Sequence, residues 1–257
     1  MRMYTFLIIG LISTTVVGCN PFKADHPQAN LSDQHQTTDL TAKSILSYKD
    51  STDKHLYLLP KNQSLIYMLG DFSFYVEQYG PTLFVAHTYN GPENTSLKKY
   101  YFRNDSLILH QASDELTNDE GIVFKDERTY LRNHTVFKKD GRTAVSAAAL
   151  QSLPFIDIPL TENSAPDKSY LDNVNSLKNV INGTDKFDMV FESIRTYPDT
   201  RYIILRNKEP NSYTASILVK ERDSFIDSLL NYPILFKDKK LNFKWKIVDK
   251  EAVYVSK

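Results

Sequence analysis

The strongest constraint on the fold is a hairpin written twice. Tyr101-Phe102-Arg103-Asn104-Asp105-Ser106-Leu107 recurs as Tyr130-Leu131-Arg132-Asn133-His134-Thr135-Val136, with looser copies at residues 59–65 and 235–241. In each clear copy an apolar strand end gives way to a basic residue for solvent, an Asn that tolerates positive φ, a polar residue and the next strand. Around these copies, short runs rich in Tyr, Phe, Val, Ile and Leu are broken by Asn, Asp, Gly and Pro, which predicts strands over 64–69, 72–79, 82–89, 97–103, 106–115, 122–131 and 135–138. Loops as short as Gly80-Pro81, Gly91-Pro92, Asn104-Asp105, 118–121 and Asn133-His134 leave successive strands no option but antiparallel pairing, so the expected arrangement is a β-meander.

Beyond residue 140 the pattern becomes mixed. Alanines favour a short helix over 143–153, and a second helix is expected from a Ser164 cap and Pro166 to Gly183, with Tyr170, Val174, Leu177 and Ile181 forming one apolar stripe. Strands are expected over 187–194, 201–206 and 213–220. A short helix capped near Asp223 then carries Phe225, Ile226, Leu229 and Leu230 to Tyr232-Pro233, and strands over 242–248 and 252–256 close the chain. Strands followed by mixed elements give an α+β class: an antiparallel β-meander with tight hairpins, then a mixed part with two or three helices packed on the sheet. Hydrophobic residues at 41% and aromatic residues at 12% suffice for a packed core.

The N-terminus carries an address. Arg2 and the amino group precede an uncharged run from Phe6 to Val17, about twelve residues long where a bilayer span needs roughly twenty, so it reads as a cleaved export signal. Its end, Val16-Val17-Gly18-Cys19, resembles the lipobox of bacterial lipoproteins, and Cys19 is the only cysteine. The resemblance implies cleavage before Cys19, acylation of its thiol, and a water-soluble body tethered to a membrane by its N-terminal lipid. Asn20, where an aspartate would favour retention at the inner membrane, points to the outer membrane of the cell envelope. The expected division is signal peptide 1–18, flexible tether 19–54, β-meander 55–140 and α+β part 141–257, the last two forming one domain or two. The body resembles β-rich exported lipoproteins such as those of Bacteroidota. Asp50-Ser51-Thr52, Asp105-Ser106-Leu107 and Asp227-Ser228-Leu229 are similar to O-glycan acceptor triplets of that group, the first expected to be accessible in the tether.

With 31 basic against 31 acidic side chains, no global field attracts nucleic acid, and none is expected as a partner. A single cysteine leaves no internal disulfide. His26 and His35 fall in the tether and read as solvated. His87, His110 and His134 fall on or beside neighbouring strands and are the candidates for a metal site, although they lack any local ligand pair and read more simply as half-buried strand histidines. The acidic group Asp114, Glu115, Asn118, Asp119, Glu120 and Gly121 departs from calcium-loop spacing and reads as a hairpin tip. Lys237, Lys239, Lys240, Lys244 and Lys246 interleave with Phe236, Phe243 and the sole tryptophan, Trp245, a pattern that suits anionic glycans or lipid headgroups, or simply a strand with one wet face.

Nucleophile-elbow, S-x-x-K and phosphate-loop patterns are missing from the sequence, so no catalytic residue and no cofactor is assigned. Sixteen tyrosines on a β scaffold motivate a non-catalytic binding module, with Tyr100, Tyr101, Tyr130 and Trp245 as candidate contact residues for an envelope protein or glycan. Two other readings stand beside it. One is an envelope-tethered inhibitor or immunity protein with a projecting loop. The other is a hydrolase with a dispersed carboxylate pair in a cleft.

Overall fold

The computed structural model describes residues 40–91, 94–119, 121–160 and 168–256. The lipobox with Cys19, the histidines His26 and His35, the helix cap at Ser164 with Pro166, and Pro92 and Glu120 lie outside the described residues. The tether expectation is corrected over its last part. Residues Ala42–Lys54 form a helix, α1, capped by the Thr41 hydroxyl, which accepts from the Ser44 N–H at 3.1 Å. Its composition is polar because a single narrow stripe is buried, led by the fully buried Ile45. Asp50-Ser51-Thr52 lies in this helix, not in a tether, and Thr52 is buried.

The meander follows as β1 (Lys61–Gln63), β2 (Tyr67–Leu69), β3 (Phe72–Tyr79), β4 (Leu83–Asn90), β5 (Asn94–Arg103), β6 (Ser106–Asn118), β7 (Gly121–Arg132) and β8 (Thr135–Ala144). After helix α2 (Ala147–Ser152), an edge strand β9 (Ile156–Ile158) completes it, which the two flanking prolines had obscured in the sequence. Helix α3 (Lys168–Asn182) leads to β10 (Val190–Thr196), β11 (Arg201–Arg206) and β12 (Thr214–Leu218). Helices α4 (Ser224–Asn231) and α5 (Pro233–Phe236) precede β13 (Lys244–Val248) and β14 (Glu251–Val255). The class is α+β, with a long antiparallel meander and a mixed C-terminal part.

Both clear copies of the repeat are two-residue turns with positive φ at each central position: Asn104 and Asp105 at 50° and 59°, Asn133 and His134 at 49° and 63°. Each turn is followed by a β-bulge, where the register slips between Tyr101/Phe102 and between Tyr130/Leu131. That combination tightens the local twist and fixes which side chains reach each face. The looser copies do not share it. Asn62 sits inside β1, and the segment around Asp238 closes α5 against β10. The same turn instead recurs at Asp249-Lys250, between β13 and β14.

The described strands belong to one sheet whose main path runs β10-β11-β12-β2-β3-β4-β5-β6-β7-β8-β9, with β1, β13 and β14 off it, and residues from Leu40 onward form one compact unit. The join is β2, whose Met68 pairs with Thr214 of β12, while further along β12 pairs parallel with β14 and β3 pairs with β1. One face of the meander packs on α3 and the C-terminal strands, giving the larger core through Phe84, Tyr100, Phe102, Val174, Leu177, Val180 and Phe191. The opposite face packs Leu83, Tyr101, Leu109 and Tyr130 against Ile45 of α1. Burying each such side chain contributes on the order of 2 kcal/mol.

Candidate functional site

Tyrosines 100, 101 and 130 are core residues. Their relative exposures of 3%, 0% and 0% leave no ring surface for a ligand, which corrects the expectation of a tyrosine contact face there. Alternating aromatic residues signal an open contact surface only if one sheet face is free, and this meander is covered on both. The Tyr101 hydroxyl donates to Asp53 at 2.9 Å, tying β5 to α1, and burial with that neighbouring carboxylate raises its pKa well above the usual phenol range. The Tyr130 hydroxyl donates to Asp140 at 3.0 Å. Tyr100 is pushed up to about 12 by burial and the nearby Tyr170.

The three histidines do not converge. His87 lies on the α1 face, with its ring stacked on Tyr75 at 4.3 Å, and its Nε2 stands 3.6 Å from Glu77. Burial raises the Glu77 carboxyl, but His87, Lys61 at 2.6 Å and the Tyr79 hydroxyl at 3.0 Å outweigh it and hold it at about 2. His110 lies on the α3 face between the rings of Tyr100 and Tyr170, at 4.7 Å and 5.2 Å. Burial, with Lys98 and Lys139 beside it, lowers its pKa to about 4 despite Glu127, so this imidazole is neutral at ordinary pH. His134 occupies an exposed turn. Of the acidic group, Asp114 and Glu115 are adjacent on β6 and therefore face opposite sides of the sheet.

On the sheet face that α1 covers, but beside α2, the meander carries a charged network that no local sequence pattern announces. Arg128 makes a bidentate contact with the buried Asp140 at 2.7 and 3.0 Å, and Arg142 reaches Asp126 with two nitrogens at 2.9 and 2.7 Å. Phe155 lies between the two guanidinium groups, 3.3 Å from Arg128 and 4.4 Å from Arg142. Every charge is matched, so the arrangement reads as a clamp on the edge segment after α2.

Trp245 alone of the four aromatic candidates borders open space. A cavity of about 200 Å³ opens where the end of α3, the turn before β10, β2 and β13 meet. Leu65, Phe187, Met189, Leu205, Phe243 and Trp245 make its walls apolar, while Ser64, Asn182, Asp188 and Lys240 supply polar groups. Gly183 ends α3 at φ 59°, as the sequence predicted, and the chain then folds into a 3-10 turn, Asp185–Phe187. Asn207, only 6% exposed, pins this turn by donating its amide to the carbonyls of Asp185 and Asp188 at 3.3 and 3.2 Å. The Tyr67 hydroxyl donates to the Val180 carbonyl at 3.3 Å. These bonds make the cavity a preformed feature, with an Asp188–Lys240 ion pair of 2.7 Å among its lining residues.

The indole Nε1 of Trp245 is shut off from solvent and has no hydrogen-bond partner among the described residues. A buried donor left unpaired costs about 1–3 kcal/mol, so such groups are uncommon without a reason. The volume is below the range of about 300–1,000 Å³ usual for whole drug-sized ligands, and suits one ring or one short branched group of a larger molecule. Trp245 had been singled out as the sole tryptophan. Asn207, Asp188 and the α3 terminus are distant from it in sequence and are brought near it by the β11–β12–β14–β13 pairings and by the packing of α3 on the sheet. No family model, curated protein or solved structure matches the chain.

Proposed function

We propose that this chain is a non-catalytic binding module, held at the cell envelope by an acylated Cys19, that takes an apolar group bearing a hydrogen-bond acceptor into the cavity beside Trp245. The apolar, preformed cavity walled by Trp245 carries the reading, and the buried indole N–H, which has no partner among the described residues, is a donor that a ligand's acceptor satisfies once the ring yields to it. The group belongs to an envelope protein or glycan, since the cavity holds only part of such a molecule. Among the described residues no helix is long and apolar enough to cross a membrane, and attachment is assigned to the N-terminal lipid.

Trp245 is the only tryptophan, so its emission reports occupancy directly. Fractions of a detergent extract of the envelope are titrated onto the protein and onto Trp245→Phe, which keeps a ring and removes the donor. Wild-type emission is expected to shift with saturation, and retention on the immobilised Trp245→Phe protein to weaken about tenfold, the worth of one buried hydrogen bond. Equal retention by both proteins would refute the site. Cys19→Ser is expected to release the body from the membrane fraction, and unchanged association would refute the anchor.

A second reading, an inhibitor of a hostile hydrolase, is favoured by one observation. The β6–β7 hairpin runs past β5 and β8, and Leu116 and Ile122 near its tip are 44% and 46% exposed. Loss of a captured enzyme in Leu116→Asp/Ile122→Asp, with Trp245→Phe unaffected, would select it.

A further inference from the structure

Outside the cavity, a run of large apolar side chains stands exposed on helix α5 and at its start. Tyr232, Ile234 and Leu235 are 60%, 86% and 61% exposed, although the last two sit on a regular helical turn whose Phe236 packs inward on Phe191. Pro233 opens this turn, and the Asp238 N–H and Lys239 carbonyl pair with the backbone of Phe191 on β10. The knuckle is therefore held rigidly outward. Left in water, such side chains forgo the gain of burial, so three together on a fixed turn call for an apolar contact.

The adjoining charges identify its kind. Lys237 and Lys239 are exposed and make no ion pair among the described residues. Asp238 is engaged by Arg206 at 2.6 Å and Asp188 by Lys240 at 2.7 Å, so the acidic groups of the patch are already neutralised and the two lysines remain as net positive charge. A tyrosine and two branched aliphatic side chains beside unpaired lysines match the layering of a lipid interface: acyl chains, then carbonyl level, then anionic headgroups.

We propose that the turn from Tyr232 to Lys239 is an interfacial docking knuckle that inserts Ile234 and Leu235 into an anionic bilayer surface. Lys237 and Lys239 engage the headgroups, and Tyr232 sits at the boundary. This does not depend on the cavity reading. It gives the body a second attachment point beside the N-terminal lipid and so fixes which side faces the membrane. One acyl chain binds only marginally, and two weak signals together hold firmly.

The test uses the mature chain from residue 19 with Cys19→Ser, which lacks the apolar leader, the acyl anchor and the native thiol, and Asn231→Cys, which places an environment-sensitive fluorophore beside the exposed Tyr232. With vesicles of phosphatidylglycerol and phosphatidylcholine, the emission is expected to shift to the blue and to be quenched by brominated lipid. Ile234→Asp is expected to abolish the quenching while circular dichroism and melting stay unchanged, because that side chain supports no core. Lys237→Gln and Lys239→Gln should each weaken the quenching response about fivefold, from about 1 kcal/mol per basic residue near an anionic surface. Quenching that is absent, or equal on pure phosphatidylcholine, would overturn the proposal. A shift produced by envelope protein but not by vesicles would replace the lipid with a protein partner and overturn it equally.

Discussion

The two faces of the meander are covered by helices of very different character. On the α3 face an apolar stripe, Val174, Leu177 and Val180, meets Phe84, Tyr100 and Phe102, and the core continues without interruption into the C-terminal strands. On the α1 face only the cross-strand row Tyr79, Leu83, Tyr101, Leu109 and Tyr130 is mainly apolar. The row beside it, Glu77, Val85, Lys99, Gln111, Arg128 and Asp140, is largely charged. The first face is stabilised by area removed from water. The second gains its order from matched charges and hydroxyl–carboxylate bonds at the boundary of a small core, so its stability depends on partners remaining paired.

The largest effect that separates the faces is expected from Asp140→Ala. It removes the acceptor of both Arg128 and Tyr130 and leaves a mostly buried guanidinium unpaired, a loss of about 3–5 kcal/mol in urea unfolding. Replacing the pair together, Arg128→Met with Asp140→Leu, should restore most of that loss. If Asp140→Ala costs under about 1 kcal/mol, the α1 face is held by its apolar row alone. Ile45→Ala is the complementary probe. It empties the one fully buried position of α1 and should cost about 3 kcal/mol, with hydrogen exchange in residues 42–54 accelerating before the rest of the molecule opens.

Acid should distinguish the faces in a second way. His110 has a folded-state pKa lowered to about 4 from 6.5, so the unfolded chain binds its proton first. Its contribution is complete above about pH 6.5 and is lost as pH falls toward 4, by about 3 kcal/mol in total. Glu77, on the α1 face, is held at about 2 from 4.5, so its contribution survives that window and disappears only as pH falls from 4.5 toward 2. A plot of unfolding free energy against pH should therefore lose its limb between 6.5 and 4 in His110→Phe and keep the lower one. Persistence of the upper limb in that variant would assign it to another group.

The meander was legible because its punctuation is local. β3 and β11 match the expected bounds, and the Asp223 cap and Gly183 stop stand where the residues placed them. Helix α1 was not, since a helix that buries little besides Ile45 and Thr52 has almost no apolar period, and its decisive partners Lys99 and Tyr101 lie some fifty residues along the chain. The tyrosines were misread for a related reason: which sheet face is open is a property of what covers it. Trp245 was found through its rarity, whereas the cavity beside it is assembled from residues 64–67, 181–189, 205 and 240–245, and no local pattern encodes that meeting.

The smallest effect concerns the duplicated turn. Both central residues have positive φ, a geometry that favours Asn followed by Gly, yet the second position holds Asp105 in one copy and His134 in the other. Aspartate tolerates the left-handed region better than histidine does, so the two copies should respond unequally. His134→Gly is expected to stabilise the protein by about 0.5 kcal/mol, the relief of backbone strain being partly offset by glycine's greater freedom when unfolded, and Asp105→Gly by less. Paired urea melts resolve that order. If His134→Gly instead destabilised by more than about 1 kcal/mol, its exposed imidazole would have to make an interaction that a bare turn does not require, and the two hairpins would no longer be equivalent.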